Sequence, residues 1–108
     1  MEIDLKEQSN AAVINMKGDL DFNSYKNFNA AISELIDKKT PRIILVMTQV
    51  THIDSMGLGS ITKLWKTADQ LGLLLALADV PKNIRNMIKL VNLDKRIQIF
   101  DTLEEALA

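Results

Sequence analysis

The sequence predicts an α/β fold: a mixed, mostly parallel β-sheet covered by helices, in the order ββαβαβαβα. Three observations lead there. The runs RIILVM (42–47) and LLLALA (73–78) show no polar alternation, as strands buried on both faces do. Around them, apolar residues recur at helical spacing, so strands alternate with helices. Such strand–helix–strand units join parallel neighbours through right-handed crossovers. The first twenty residues instead carry two strand-like stretches joined by a turn, which adds an antiparallel member.

Taken in order, residues 2–7 and 11–17 form the hairpin, with Ile3 and Leu5 alternating and Ser9-Asn10 as its turn. Gly18-Asp19-Leu20-Asp21 breaks the second strand. Phe28, Ala31, Ile32, Leu35 and Ile36 share one face of a helix. Asn23 or Ser24 caps its start, Lys38 and Lys39 suit its negative end, and Pro41 stops it. The strand at 42–47 follows and ends at Met47. Leu58, Ile61, Trp65, Ala68 and Leu71 line the next helix, closed by Gly72. The length of LLLALA and the glycine before it favour a strand over a helix. Pro81 opens a third helix, with Ile84, Met87, Ile88 and Val91 as its apolar stripe. IQIF (97–100) is a short strand, and TLEE (102–105) is a capping box for a last helix.

A length of 108 residues reads as a single domain over 1–108, able to bury a core without staples. With no cysteine, the chain has no disulfide, thiolate metal site or thiol nucleophile, and it suits a reducing cytoplasm. The N-terminus MEIDLKEQSN is charged from its start and does not read as a signal peptide. No apolar stretch approaches the ~20 residues of a membrane helix. Thirteen basic and fourteen acidic residues leave a net charge of −1, which argues against nucleic acid or an anionic membrane as the main partner. Five aromatic residues are too few for a base-stacking platform. One histidine without cysteine builds no transition-metal site, so neither a metal nor a cofactor is expected.

The stretch THIDSMGLGS (51–60) joins the most apolar run to a helix, the kind of place where α/β folds carry their sites. The plain structural reading makes Ser55 the N-cap of that helix, a role worth about 1 kcal/mol. Four functional readings stand beside it. A phosphate loop lacks its Lys-Ser/Thr ending and follows a polar loop rather than a strand. A nucleophilic serine would need His52 and Asp54 in relay geometry, which neighbours on one loop seldom give, and D-S-M-G is not a G-x-S-x-G elbow. A phosphoaccepting Asp54 lies well past Met47, without an acidic pair to hold Mg²⁺. The fourth reading makes Ser55 itself the acceptor of a phosphoryl group, exposed at a helix start whose dipole tolerates the charge. In that reading Gly57 and Gly59 let a partner's backbone come close. Leu58 at its spacing reads as core, and Met56 as facing out.

VTHIDSMGLGSITKLWKTADQLG resembles the signature of the STAS domain, the family of sulfate transporters and anti-sigma factor antagonists. Its bacterial regulators carry an apolar strand, then Ile/Met-Asp-Ser-x-Gly-Leu, then a helix. GDLD (18–21) is similar to the family's Gly-Glu-Leu-Asp after the second strand, and FDTLEEALA to its usual end. Met56 stands where the motif often has a second serine. Lys63-Leu64-Trp65-Lys66 stands where Gly-Arg-Tyr-Lys is often found.

The resemblance implies the STAS fold and a binding module rather than an enzyme. It implies an unphosphorylated form that binds an anti-sigma factor, itself a serine kinase, and so releases the sigma factor. Phosphorylation of Ser55 switches this off, and a serine phosphatase restores it. Asp21 and Asp54 match the family's acidic positions, and the expected partner surface is Asp21, Asp54, Ser55, Met56, Gly57 and Leu58. The free chain is expected to be monomeric and cytoplasmic. Two alternatives remain: a small phosphate- or nucleotide-binding enzyme using Ser55 or Asp54, and a STAS subunit of a stressosome or lipid-transport complex.

Overall fold

The hairpin closes on Ser9 and Asn10, whose φ angles of 52° and 62° are those of a two-residue turn that matches strand twist. It joins β1 (Glu2–Gln8) to β2 (Ala11–Leu20) in antiparallel register, Gln8 opposite Ala11 and Glu2 opposite Lys17. In this computed structural model, which describes residues 1–108, the chain continues through α1 (Tyr25–Asp37), β3 (Arg42–Ile53) and α2 (Ser55–Gln70). Then come β4 (Leu74–Ala78), α3 (Lys82–Leu90), a 3₁₀ turn (Leu93–Lys95), β5 (Gln98–Phe100) and α4 (Leu103–Leu107). The sheet order is β1-β2-β3-β4-β5, and every pair but the first is parallel. The expected α/β class, element order and mixed sheet are therefore present.

The sheet has a thickly and a thinly covered face. Phe28 and Ile32 of α1, Ile61 and Leu64 of α2, and Ile84 and Ile88 of α3 meet Ile14, Met16, Ile43, Leu45, Leu75 and Leu77 in the main core. On the other face only α4 covers the sheet, through Ala106 over Val13, Ile44, Val46, Ala76 and Ala78. Ile43 to Met47 and Leu75 to Ala78 are buried on both faces, as their unbroken apolar runs require. Each Ile, Leu, Val or Met side chain among them contributes about 1.5–3 kcal/mol.

Both long helices end in the same device. The N–H groups of Lys39 and Thr40 bond back to Ile36 and Leu35, and those of Gly72 and Leu73 to Asp69 and Ala68. The residue in the left-handed region is Lys39 (φ 57°) in one case and Gly72 (φ 74°) in the other. Several expectations are corrected at element ends. Of the two residues expected to cap α1, Ser24 holds the position but its side chain makes no capping bond, and Pro81 is the residue before α3, not its first. Leu71 and Val91, expected on apolar stripes, lie one residue beyond α2 and α3 and are exposed. Leu93 of the unexpected 3₁₀ turn is buried instead.

The correction that matters most concerns β2 and β3. Neither ends where expected: β2 runs on to Leu20 and β3 to Ile53. Two irregularities interrupt their pairing, between Asn15 and Lys17 and between Gly18 and Asp19, and each leaves an extra residue on β3. Each shifts the phase of side-chain alternation, so that Val50 and Ile53 are buried while Thr48, Gln49, Thr51 and His52 are exposed. Asp54 therefore stands directly at the strand's end.

Candidate functional site

At the carboxyl end of β3, Asp54 leaves the strand in extended conformation and caps α2. Its Oδ1 accepts a hydrogen bond from the Gly57 N–H at 3.0 Å, and its Oδ2 one from the Phe22 N–H at 3.0 Å. Its own N–H donates to the Leu20 carbonyl. One carboxylate thus ties three things together: the end of β3, the first turn of α2 and the turn after β2. Ser55, expected as the cap, is instead the first helical residue, exposed and free of that duty.

The turn after β2 is organised by two short side chains. Asp21 Oδ1 accepts from the Asn23 N–H at 2.9 Å. Ser24 Oγ accepts from the Asp21 N–H at 3.0 Å and donates to the Asp19 carbonyl at 2.7 Å. The buried hydroxyl of Ser24 is thereby satisfied, and the turn is fixed before α1 begins. Phe22 stands on this turn with 68% of its surface exposed, its ring 6.2 Å from that of Tyr25.

Gly57 and Leu58, expected on the partner surface, are turned inward. A Cβ on Gly57 would lie 2.3 Å from the Leu20 carbonyl oxygen, so the glycine lets α2 sit down on the end of β2. The expected opening to a partner's backbone is not what Gly57 provides. Gly59 has open space around it. Leu58 is in the main core, as its spacing predicted. Met56 is 37% exposed beside Ser55. Of the expected site residues, the structure brings Asp21, Asp54, Ser55 and Met56 to one surface and places Gly57 and Leu58 beneath it.

His52 does not join Ser55. Its Nδ1 lies 3.2 Å from Asp19 Oδ1, which also accepts from the Thr51 hydroxyl. The Thr51 bond, then the His52 contact, hold the Asp19 carboxyl below its usual value. The serine–histidine relay weighed above is therefore absent from this geometry. The phosphate-loop reading also loses its footing, because the Asp54 carboxylate already occupies the first turn of α2 and would repel an anion there. Asp54 itself stands where a phosphoaccepting aspartate would, but both its oxygens are engaged by backbone N–H groups.

Phe22 is the residue that the sequence reading missed. The available signal was a large apolar side chain in the turn DFNS, between two polar residues and outside any strand or helix phase that would bury it.

Comparison with known proteins adds four findings. A family model described as the STAS domain matches residues 2–106. Proteins of Thermotoga neapolitana and Thermotoga maritima, both provisionally named as anti-sigma factor antagonists, are each 34% identical over 74 residues. That stretch covers 68% of this chain and 66% of theirs, just under two thirds of their length. A crystal structure of a Thermotoga maritima protein with the same provisional name matches with a TM-score of 0.92 at 26% identity, over 97% of this chain and 91% of that one. SpoIIAA of Bacillus in its phosphorylated form matches with a TM-score of 0.77 at 21% identity, over 98% of this chain and 96% of that one, a likeness of fold.

Proposed function

The chain belongs to the STAS domain family, and from that premise we propose that it is an anti-sigma factor antagonist switched by phosphorylation of Ser55. Its unphosphorylated form binds an anti-sigma factor serine kinase in the cytoplasm and so frees a sigma factor. The kinase transfers phosphate to Ser55 and the complex dissociates; a serine phosphatase resets the chain. The free chain is a monomer and performs no chemistry of its own.

The observation that carries this reading is the division of labour at the end of β3. Asp54 takes the capping role, which leaves the neighbouring Ser55 exposed and without a capping bond. A kinase can therefore modify the hydroxyl without unmaking the helix start. Phosphorylation adds about −1.5 to −2 charges next to Asp54. Within an interface that held the neutral serine, the dianion brings desolvation and like-charge repulsion. A penalty of about 3–4 kcal/mol weakens a complex by roughly 10²–10³. The names of the relatives support the antagonist role, and SpoIIAA, known in unphosphorylated and phosphorylated form, shares the fold.

The partner surface in this reading is Ser55, Met56 and the edge of Asp21 and Asp54, joined by Phe22. Gly57 and Leu58 act from below, by holding α2 against β2. The test is phosphoryl transfer. Incubated with its anti-sigma factor and ATP, the chain should gain one phosphate that peptide mass spectrometry assigns to Ser55. The Ser55→Ala chain should gain none. Label on another residue, with Ser55 unmodified, refutes the assignment.

A further inference from the structure

A cleft of about 610 Å³ opens at the amino end of β3, the full length of that strand from Ser55. Its walls are the Ser9-Asn10 turn of the hairpin and the connection 38–42 between α1 and β3. Lys38, Lys39 and Arg42 line it against one carboxylate, Glu7. The end of α1 favours cations, which accounts in part for the two lysines. It does not account for Arg42. That side chain is partly buried, and its Nη1 and Nη2 donate to the carbonyls of Ser9 and Ala106. Both partners are neutral. No carboxylate, the C-terminus included, lies within ion-pair distance of Arg42 or Lys39. A charge withdrawn from water is ordinarily matched by a counter-ion. This guanidinium is instead fixed by two carbonyls with N–H donors to spare. Lys38 pairs only with Glu34, an exposed contact that water screens. Lys39 holds the left-handed position, φ 57°, that Gly72 holds after α2, so a cation stands where the backbone favours glycine.

We propose that this cleft binds a small sugar or polyol phosphate. Three cations against one carboxylate leave an excess of two positive charges in the lining, which a phosphomonoester dianion balances. Arg42 supplies the planar, charge-assisted N–H donors that suit a phosphate, and Lys39 a second cation. The volume falls in the range of small-molecule sites and exceeds what inorganic phosphate fills. Ser9, Asn10 and Thr40 offer hydroxyl and amide groups to the organic part of the ligand. No aromatic side chain lines the cleft, so a nucleobase finds nothing to stack on. The inference is independent of the Ser55 switch and requires neither a kinase nor a phosphatase.

The test is an NMR titration of the backbone amides of the full chain. The probes are glucose-6-phosphate, ribose-5-phosphate and glycerol-3-phosphate, beside glucose, inorganic phosphate and adenosine monophosphate. At least one of the three esters should shift the amides of Ser9, Asn10, Lys39, Thr40 and Arg42 and leave those of Ser55 and Met56 in place. Glucose should shift none of them. Lys39→Gly should weaken ester binding by roughly fivefold or more, while raising the melting temperature because glycine suits the left-handed position. Those opposite directions separate a lost contact from a lost fold. Absence of shifts at the cleft with all three esters overturns the proposal. So does tighter binding of inorganic phosphate or adenosine monophosphate than of every ester, and so does unchanged affinity in Lys39→Gly.

Discussion

Asp54 is the residue on which the site depends, because both of its oxygens accept backbone N–H groups from different elements. Removing it leaves the Gly57 and Phe22 donors without their partner. Asp54→Ala should therefore lower unfolding free energy by about 1–3 kcal/mol in urea titration. Ser55→Ala, which removes no cap, should stay within about 0.5 kcal/mol of wild type in the same titration. The reverse order would return the capping role to Ser55. Asp19 offers a second test. Its carboxyl is held below the ordinary value of 3.8 by the Thr51 hydrogen bond first and the His52 contact second. A depressed folded-state value contributes stability that is full above the unfolded value and fades as pH falls through the folded one. The advantage of wild type over Asp19→Asn should therefore be present just above the carboxylate range and shrink as acid is added below about pH 4. An advantage that grew on acidification would contradict this sign. Because the pair is exposed, the effect should be small.

At the scale of elements, the joint between β2, β3 and α2 is set by one glycine. With a Cβ position 2.3 Å from the Leu20 carbonyl oxygen, Gly57→Ala must push α2 off the sheet edge. It should cost about 1–3 kcal/mol or more. Gly59, with open space at its Cβ, should instead gain about 0.5–1 kcal/mol when changed to alanine within the same helix. Opposite signs for the two substitutions in thermal unfolding check the packing directly; like signs would refute it. The same joint explains what the sequence could and could not tell. The buried strands, the helix stripes and the Ser9-Asn10 turn were legible because their periods are regular. The last residues of β2 and β3 were not, because two pairing irregularities reset the alternation and made TQVTHI read as a loop. That error hid Asp54 at the strand end and passed its capping role to Ser55. Leu71 and Val91 fit a helical period in sequence, but the helices stop one residue before each.

For the molecule as a whole, the parallel sheet separates two ends with different surfaces. The Ser55 end gathers the acidic turn residues and two exposed apolar side chains, Phe22 and Met56. The family pattern made Ser55 and its neighbours legible, but Phe22 belongs to no period or motif and became visible only once the Asp54 bond placed its turn beside α2. As an exposed aromatic on the proposed interface, Phe22 should anchor the partner. Phe22→Ala should weaken the complex by roughly tenfold or more while leaving folding stability near wild type. An unchanged affinity would remove Phe22 from the interface. The central claim is that phosphate on Ser55 breaks a complex that the unmodified chain forms. The direct measurement is titration calorimetry of the cognate anti-sigma factor with the unphosphorylated chain and with the chain phosphorylated at Ser55. The account predicts tight binding in the first case and affinity lower by roughly 10²–10³ in the second, with both forms equally folded. Equal affinity of the two forms would contradict it.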